Sequence, residues 1–106
     1  MPKYLFQGSY RPDGTKGLIK EGASQRRANL EALVKQQGGR LEAFYFTFGD
    51  ADAIGIAELP DNVTTAALSL AINASGIVAV KTTVLLTVEG MDQAVKKQVS
   101  YRAPGH

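Results

Sequence analysis

The octapeptide LEAFYFTF, from Leu41 to Phe48, is the most informative feature of this chain. It predicts a strand, because successive side chains of a strand point to opposite faces of a sheet. One face would carry Leu41, Ala43 and Tyr45, and the other Phe44, Phe46 and Phe48. Both faces are apolar, but a 106-residue chain with few helices can cover only one face of a small sheet. We therefore predict that a second copy of the chain covers the other face.

The composition is that of one globular domain spanning residues 1–106, with 44% hydrophobic and 21% charged residues. The polar tail at about 101–106 is expected to be loose. A net charge of +2 without a long basic stripe argues against nucleic-acid binding. The absence of cysteine excludes disulfides and thiolate chemistry.

The first residues, Met1 to Gln7, lack the apolar run of a signal peptide. No stretch approaches the ~20 apolar residues of a membrane span. We therefore expect a cytoplasmic protein with no membrane partner.

Hydrophobic periodicity predicts seven elements. The strands are expected at about 3–10, 40–48, 52–59 and 77–86, and the helices at about 15–37, 62–75 and 88–99. A type I turn over 11–14 would precede the first helix, with Asp13 or Thr15 as its cap. The order predicts an α+β fold, the ferredoxin-like split βαβ, with a four-stranded antiparallel sheet, two helices on one face and an extra C-terminal helix.

This arrangement leaves the second face of the sheet bare in a single chain. A C-terminal helix of about 12 residues could cover only part of four strands, and soluble monomers rarely expose such an apolar patch. The sequence therefore predicts a homodimer or a higher oligomer.

Six segments resemble the GYD-domain family: PKYLFQGSY (2–10), GLIKEG (17–22), LEAFYFTFGD (41–50), LPDN (59–62), NASG (73–76) and TTVLLT (82–87). The resemblance covers about residues 2–103 of this chain. It implies a bacterial, largely uncharacterised protein of the dimeric α/β-barrel group, which also includes small monooxygenases, isomerases and haem-handling proteins. The family is named for a Gly-Tyr-Asp motif. Here Ala51 stands where the tyrosine would precede Asp52, so this chain lacks that phenol.

His106, the last residue, is the only histidine. A histidine-based triad, metal cluster or haem ligand is therefore not expected, and we predict no metal and no cofactor. Asp50 and Asp52 flank a turn, where they could share a proton or hold a hard cation. The alternative is that they fix the turn by accepting hydrogen bonds from backbone N–H groups.

Glu42 and Lys81 are charges inside apolar strands, where burial would shift the pKa of either group and one could act as a base. The alternatives are that they pair with each other or lie at a wet edge of an interface. Aromatic side chains could hydrogen-bond a ligand or line an apolar pocket, or they could be core or interface residues. The candidates for ligand contact are Tyr4, Phe6, Phe44, Tyr45 and Phe46.

The leading hypothesis is a homodimeric protein that binds a small apolar molecule between its helices and its sheet. The alternative is a cofactor-free isomerase or monooxygenase with an aromatic-lined cleft, in which a carboxylate, Lys81 or Tyr45 acts as acid or base. A closed pocket of ~300 Å³ or more that contains such a group would favour the enzyme. A filled interior with every charge exposed would favour a structural role.

Overall fold

The structure, a computed structural model, describes all residues from Met1 to His106. Its eight elements are β1 (Lys3–Tyr10), α1 (Pro12–Glu21), α2 (Ala23–Gln36), β2 (Arg40–Phe46), β3 (Ala53–Glu58), α3 (Asn62–Ala74), β4 (Val78–Leu85) and α4 (Val88–Lys96). The four strands form one antiparallel sheet in the order β2-β3-β1-β4. This confirms the predicted α+β, ferredoxin-like fold.

Helices α2 and α3 pack on one face of the sheet, and α1 packs beside α2 near β1. The opposite side, which we call the open face, presents Leu5, Ile54 and Ile56 from the two central strands. Tyr45 of β2 and Leu85 of β4 lie on the same side. No helix of the chain packs over this face.

The prediction of a single helix at about 15–37 is wrong in two respects. Helix α1 begins at Pro12, so residues 11–14 form its start and not a separate turn. Proline is favoured at the first helical position because its missing N–H has no helical partner there. Gly22 then separates α1 from α2 with a φ of 92°. Only glycine adopts such an angle without strain, so the chain turns at this residue.

Strand β2 contains a bulge at Glu42, which the sequence did not predict. Leu41 pairs with Ala57, but Ala43 pairs with Ile56, the very next residue of β3. Glu42 is therefore an extra residue, and the alternation of faces restarts after it. As a result Leu41 shares the helix-covered face with Phe44, and the predicted grouping of Leu41 with Ala43 is wrong. Strand β2 also ends at Phe46, two residues earlier than predicted.

The core lies between the two central strands and helices α2 and α3, and is formed by Tyr4, Val34, Ala57, Leu59 and Leu68. The hydroxyl of Tyr4 donates to Oδ1 of Asn62 at 2.6 Å, which ties β1 to the start of α3. Asp61 caps the same helix, because its Oδ1 accepts from the N–H of Thr64 at 2.8 Å.

Residues 86–106, the C-terminal arm, extend away from the sheet. Every residue of α4 except Gly90 is exposed, and the helix ends at Lys96, three residues before the predicted end. The molecule is 57 Å long, and its radius of gyration is 16.9 Å. A compact chain of this length would give about 13 Å. None of the helices has both the length and the apolar character that crossing a membrane would require.

Candidate functional site: an apolar cavity under the helices

The helices and the sheet leave an apolar cavity between them. Twelve of its fifteen lining residues are hydrophobic, and they come from β1, β2, β3, β4, α2 and α3. Within the cavity, the volume in which the centre of a water molecule can lie is about 70 Å³. One water needs ~10–15 Å³ in this measure, so the cavity has room for several waters or for one small organic molecule.

Small residues on the two central strands create this space. Gly8 pairs with Ala53, and Gly55 pairs with Phe6, on the face that the helices cover. A Cβ atom on Gly8 would lie 3.5 Å from Cγ1 of Val78, an ordinary contact. Neither glycine has a positive φ, so the backbone does not require glycine at either position. Glycine inside a strand often marks a close approach by a ligand, and here the missing side chains leave the cavity open.

Aromatic rings form part of the wall. Phe6 and Tyr10 of β1 and Phe44 of β2 line the cavity. Phe44 is held edge-to-face by Phe46, with 5.1 Å between the ring centroids. Such a geometry is favourable for aromatic pairs and fixes the orientation of the Phe44 ring.

Arg26 of α2 is the one charged residue that lines the cavity. Its guanidinium lies over the ring of Tyr10, 5.8 Å from the centroid. The Nε atom of Arg26 is buried and has no hydrogen-bond partner. The next residue, Arg27, differs, because its exposed side chain pairs with Glu31 at 3.4 Å.

The structure separates the predicted aromatic candidates. Phe6 and Phe44 line the cavity. Tyr4 lies in the core with only 1% of its surface exposed, and Phe46 lies at the sheet edge with 41% exposed. Tyr45 lies on the open face with 67% exposed. Whether Phe6 and Phe44 touch a ligand stays a prediction.

Glu42 belongs to an ion-pair cluster near one end of the open face. Its Oε1 lies 2.9 Å from Nζ of Lys3, and Lys3 is also 3.9 Å from Glu58, which pairs with Arg40 at 3.1 Å. The hydrogen bond from Lys3 lowers the pKa of Glu42, and the same bond raises the pKa of Lys3. The suggested pairing of Glu42 with Lys81 is wrong, because β2 and β4 are the two outer strands of the sheet.

The two aspartates of the turn have different surroundings. Oδ2 of Asp52 accepts from the N–H of Tyr10 at 2.7 Å, and the N–H of Asp52 donates to the carbonyl of Gly8 at 2.8 Å. Asp52 therefore attaches the turn to β1. Asp50 is exposed and lines a separate groove on the open face together with Lys81. The chain contains no group of three or more carboxylate or histidine side chains placed to hold a metal ion.

Sequence reasoning did not find Gly8, Gly55 or Arg26. The signal for the glycines was their position inside predicted strands, where side chains normally pack. The signal for Arg26 was its spacing, because it follows Ala23 by three residues and precedes Leu30 by four. That spacing places an arginine on the apolar face of the helix.

The sequence matches the model of the GYD domain over residues 4–95. The chain belongs to the GYD-domain family. This confirms the resemblance drawn from the six segments. The matched residues run from the second residue of β1 to the penultimate residue of α4. No curated protein and no solved structure matches the chain.

The turn of this GYD-domain protein is fixed without a tyrosine at position 51. Oγ1 of Thr47 donates to the carbonyl of Ala51 at 2.6 Å, and the N–H of Thr47 donates to the carbonyl of Asp52 at 2.8 Å. The side chain of residue 51 takes no part in these bonds, so alanine is sufficient to form the turn here.

Proposed function

We propose that this GYD-domain protein is a homodimer that binds a small apolar molecule in the cavity between its helices and its sheet. The observation that carries the proposal is the cavity, whose floor consists of Gly8, Ala53 and Gly55. Glycine inside a strand destabilises it by roughly 0.5–1 kcal/mol relative to alanine. Gly8 and Gly55 thus lower the stability of the strands at two positions where alanine would fit. The space that they leave open could hold a bound molecule.

The cavity favours binding over the enzyme alternative. Its lining contains neither a carboxylate nor a lysine, and the candidates Glu42, Asp50, Asp52 and Lys81 all lie elsewhere. Its free volume is also well below the ~300 Å³ at which a pocket accepts a drug-sized molecule. An isomerase or monooxygenase working here would lack the acid or base that the alternative requires.

The open face supports a second copy of the chain as the partner. Leu5, Ile54 and Ile56 form its apolar centre, and the ion-pair cluster around Lys3 and Glu42 lies near one end. An apolar centre with a polar rim is the usual anatomy of a protein interface. Two open faces packed together would bury on the order of 800 Å² per partner in a standard interface.

The C-terminal arm supports the same assembly. Val88, Met91 and Val95 lie on one side of α4 at helical spacing, and all three are exposed. An amphipathic helix of this kind gains most of its stability by packing its apolar side. Since α4 makes few contacts with the other elements of its own chain, we propose that it packs on the partner copy.

Ligand binding is tested by titrating ¹⁵N-labelled protein with toluene, a neutral apolar probe. We expect saturable shifts of amides around the cavity, such as those of Gly55 and Leu30, while the amide of Gln93 in α4, which contributes no residue to the cavity, stays in place. The double variant Gly8→Ala, Gly55→Ala fills the floor and should lose these shifts. Gly17→Ala is the matched control, since its added Cβ meets no atom within 4 Å. Shifts that are absent, or that persist in the double variant, would refute binding in this cavity.

The assembly is tested by sedimentation of Ile56→Asp and Val95→Asp. Each places a carboxylate in the proposed interface, so we expect dissociation to single chains that remain folded by circular dichroism. Val63→Asp is the control for Ile56, because Val63 is exposed on α3, away from the open face. Gln93→Asp is the control for Val95, because it lies on the other side of α4. Unchanged sedimentation of both interface variants would contradict the proposed dimer.

A further inference from the structure

The side chain of Arg26 has a charge and a hydrogen-bond donor that the protein leaves unmatched at the cavity. An arginine guanidinium is permanently protonated and can only donate hydrogen bonds. The buried Nε of Arg26 has no acceptor, and the ion pairs of the chain, at Lys3, Arg27 and Arg40, do not include Arg26. A buried donor without a partner is destabilising, so native proteins rarely keep one.

The guanidinium is held at the cavity by its contact with Tyr10. The centroid of the Tyr10 ring lies 5.8 Å from Cζ of Arg26, within the range of a cation–π interaction. A cation–π contact uses no N–H group as a hydrogen-bond donor, so the unpaired Nε–H of Arg26 remains free for an acceptor. Arginine presents two parallel N–H groups that match the two oxygens of a carboxylate.

We propose that the molecule bound in the cavity is a small monocarboxylate, with its carboxylate on Arg26 and its apolar body between Phe6, Phe44 and Leu30. This inference rests on the proposed function and specifies the class of ligand. One guanidinium balances one negative charge, and no other cationic side chain lines the cavity. A dianion such as a phosphate monoester would leave a charge unpaired among apolar side chains, which is strongly unfavourable. The limited volume restricts the body to about the size of one ring.

The test compares benzoate with nitrobenzene, which has nearly the same shape but no net charge. Affinities are measured at pH 7 from amide shifts of the 106-residue protein. We expect wild type to bind benzoate at least about tenfold more tightly than nitrobenzene, as charge-assisted hydrogen bonds would give. Arg26→Met should lose that preference while still binding nitrobenzene. Arg27→Met is the matched control on the neighbouring residue and should keep the preference, because Arg27 pairs with Glu31 outside the cavity.

The outcomes separate this inference from the function on which it rests. The proposal of a monocarboxylate ligand is wrong if toluene and nitrobenzene bind but benzoate binds no better, or if Arg26→Met keeps the preference for benzoate. In either case the proposed binding of an apolar molecule in the cavity is retained. If none of the three probes binds, the proposed function fails and this inference fails with it. Should Arg26→Met not fold, Arg26→Lys serves instead, since it keeps the charge without the planar fork. Its preference for benzoate should fall several-fold with nitrobenzene binding unchanged, and an undiminished preference would overturn the proposal.

Discussion

Replacing Gly8 by alanine should stabilise the protein. The new Cβ would meet Cγ1 of Val78 at 3.5 Å and the carbonyl oxygen of Ala53 at 4.0 Å, so it fits without displacing either atom. Alanine in a strand is favoured over glycine by roughly 0.5–1 kcal/mol, and one buried methyl group adds about 0.8 kcal/mol. We therefore expect the free energy of unfolding to rise by about 1–2 kcal/mol. For a domain of this size each kcal/mol raises Tm by roughly 4–8 °C.

Urea unfolding followed by circular dichroism measures this change, and toluene titration of the same sample measures the cost to binding. Gly17→Ala should also be more stable, by up to about 1 kcal/mol, because alanine has the higher helix propensity. Its affinity for toluene should equal that of wild type, whereas Gly8→Ala should bind several-fold more weakly. A destabilised Gly8→Ala protein, or one that binds toluene as wild type does, would refute the argument that Gly8 is kept to leave space for a ligand.

Three further changes test the fold. Gly39→Ala should lower the free energy of unfolding in urea by about 1–3 kcal/mol, because its Cβ would overlap the carbonyl oxygen of Glu58; an unchanged free energy would show that this oxygen does not lie so close to residue 39. Gly22→Ala should lower Tm, since φ there is 92°; a higher Tm would mean that α1 and α2 are one helix. The hydrogen bond from the Thr64 N–H lowers the pKa of Asp61. The stability that this bond adds to the fold is therefore complete above the ordinary aspartate pKa of 3.8, and it is lost as the pH falls through the lowered pKa. Asp61→Asn should therefore lose less stability than wild type in that acidic range, and equal losses would contradict this role.

Much of the fold could be predicted from the sequence, since it depends on local patterns. β-branched and aromatic alternation located four strands, and Asp61 with the alanine-rich stretch after it placed α3 within one residue of its observed end. The break at Gly22 was missed because the apolar stripe continues across it, and propensity alone only weakens a helix at glycine. The bulge at Glu42 was missed because it depends on how β2 pairs with β3. The alternation of side chains within one strand contains no information about that pairing.

The candidate site was less predictable. Reasoning from residue types selected the groups that usually carry chemistry, and of these only Phe6 and Phe44 line the cavity. Asp52 and Glu42 make structural contacts instead, with Tyr10 and Lys3. The cavity itself arises from missing side chains at Gly8 and Gly55. An empty volume belongs to the packed arrangement of several elements, so no single segment of sequence reveals it.

A single chain leaves its open face and its C-terminal arm uncovered, and we propose that two copies complete the molecule. Light scattering on the eluting peak in size-exclusion chromatography tests this most directly. Over a range of micromolar concentrations we expect a mass of twice 11.3 kDa, or a larger even multiple. A constant mass of 11.3 kDa for a folded protein would rule out the proposed homodimer.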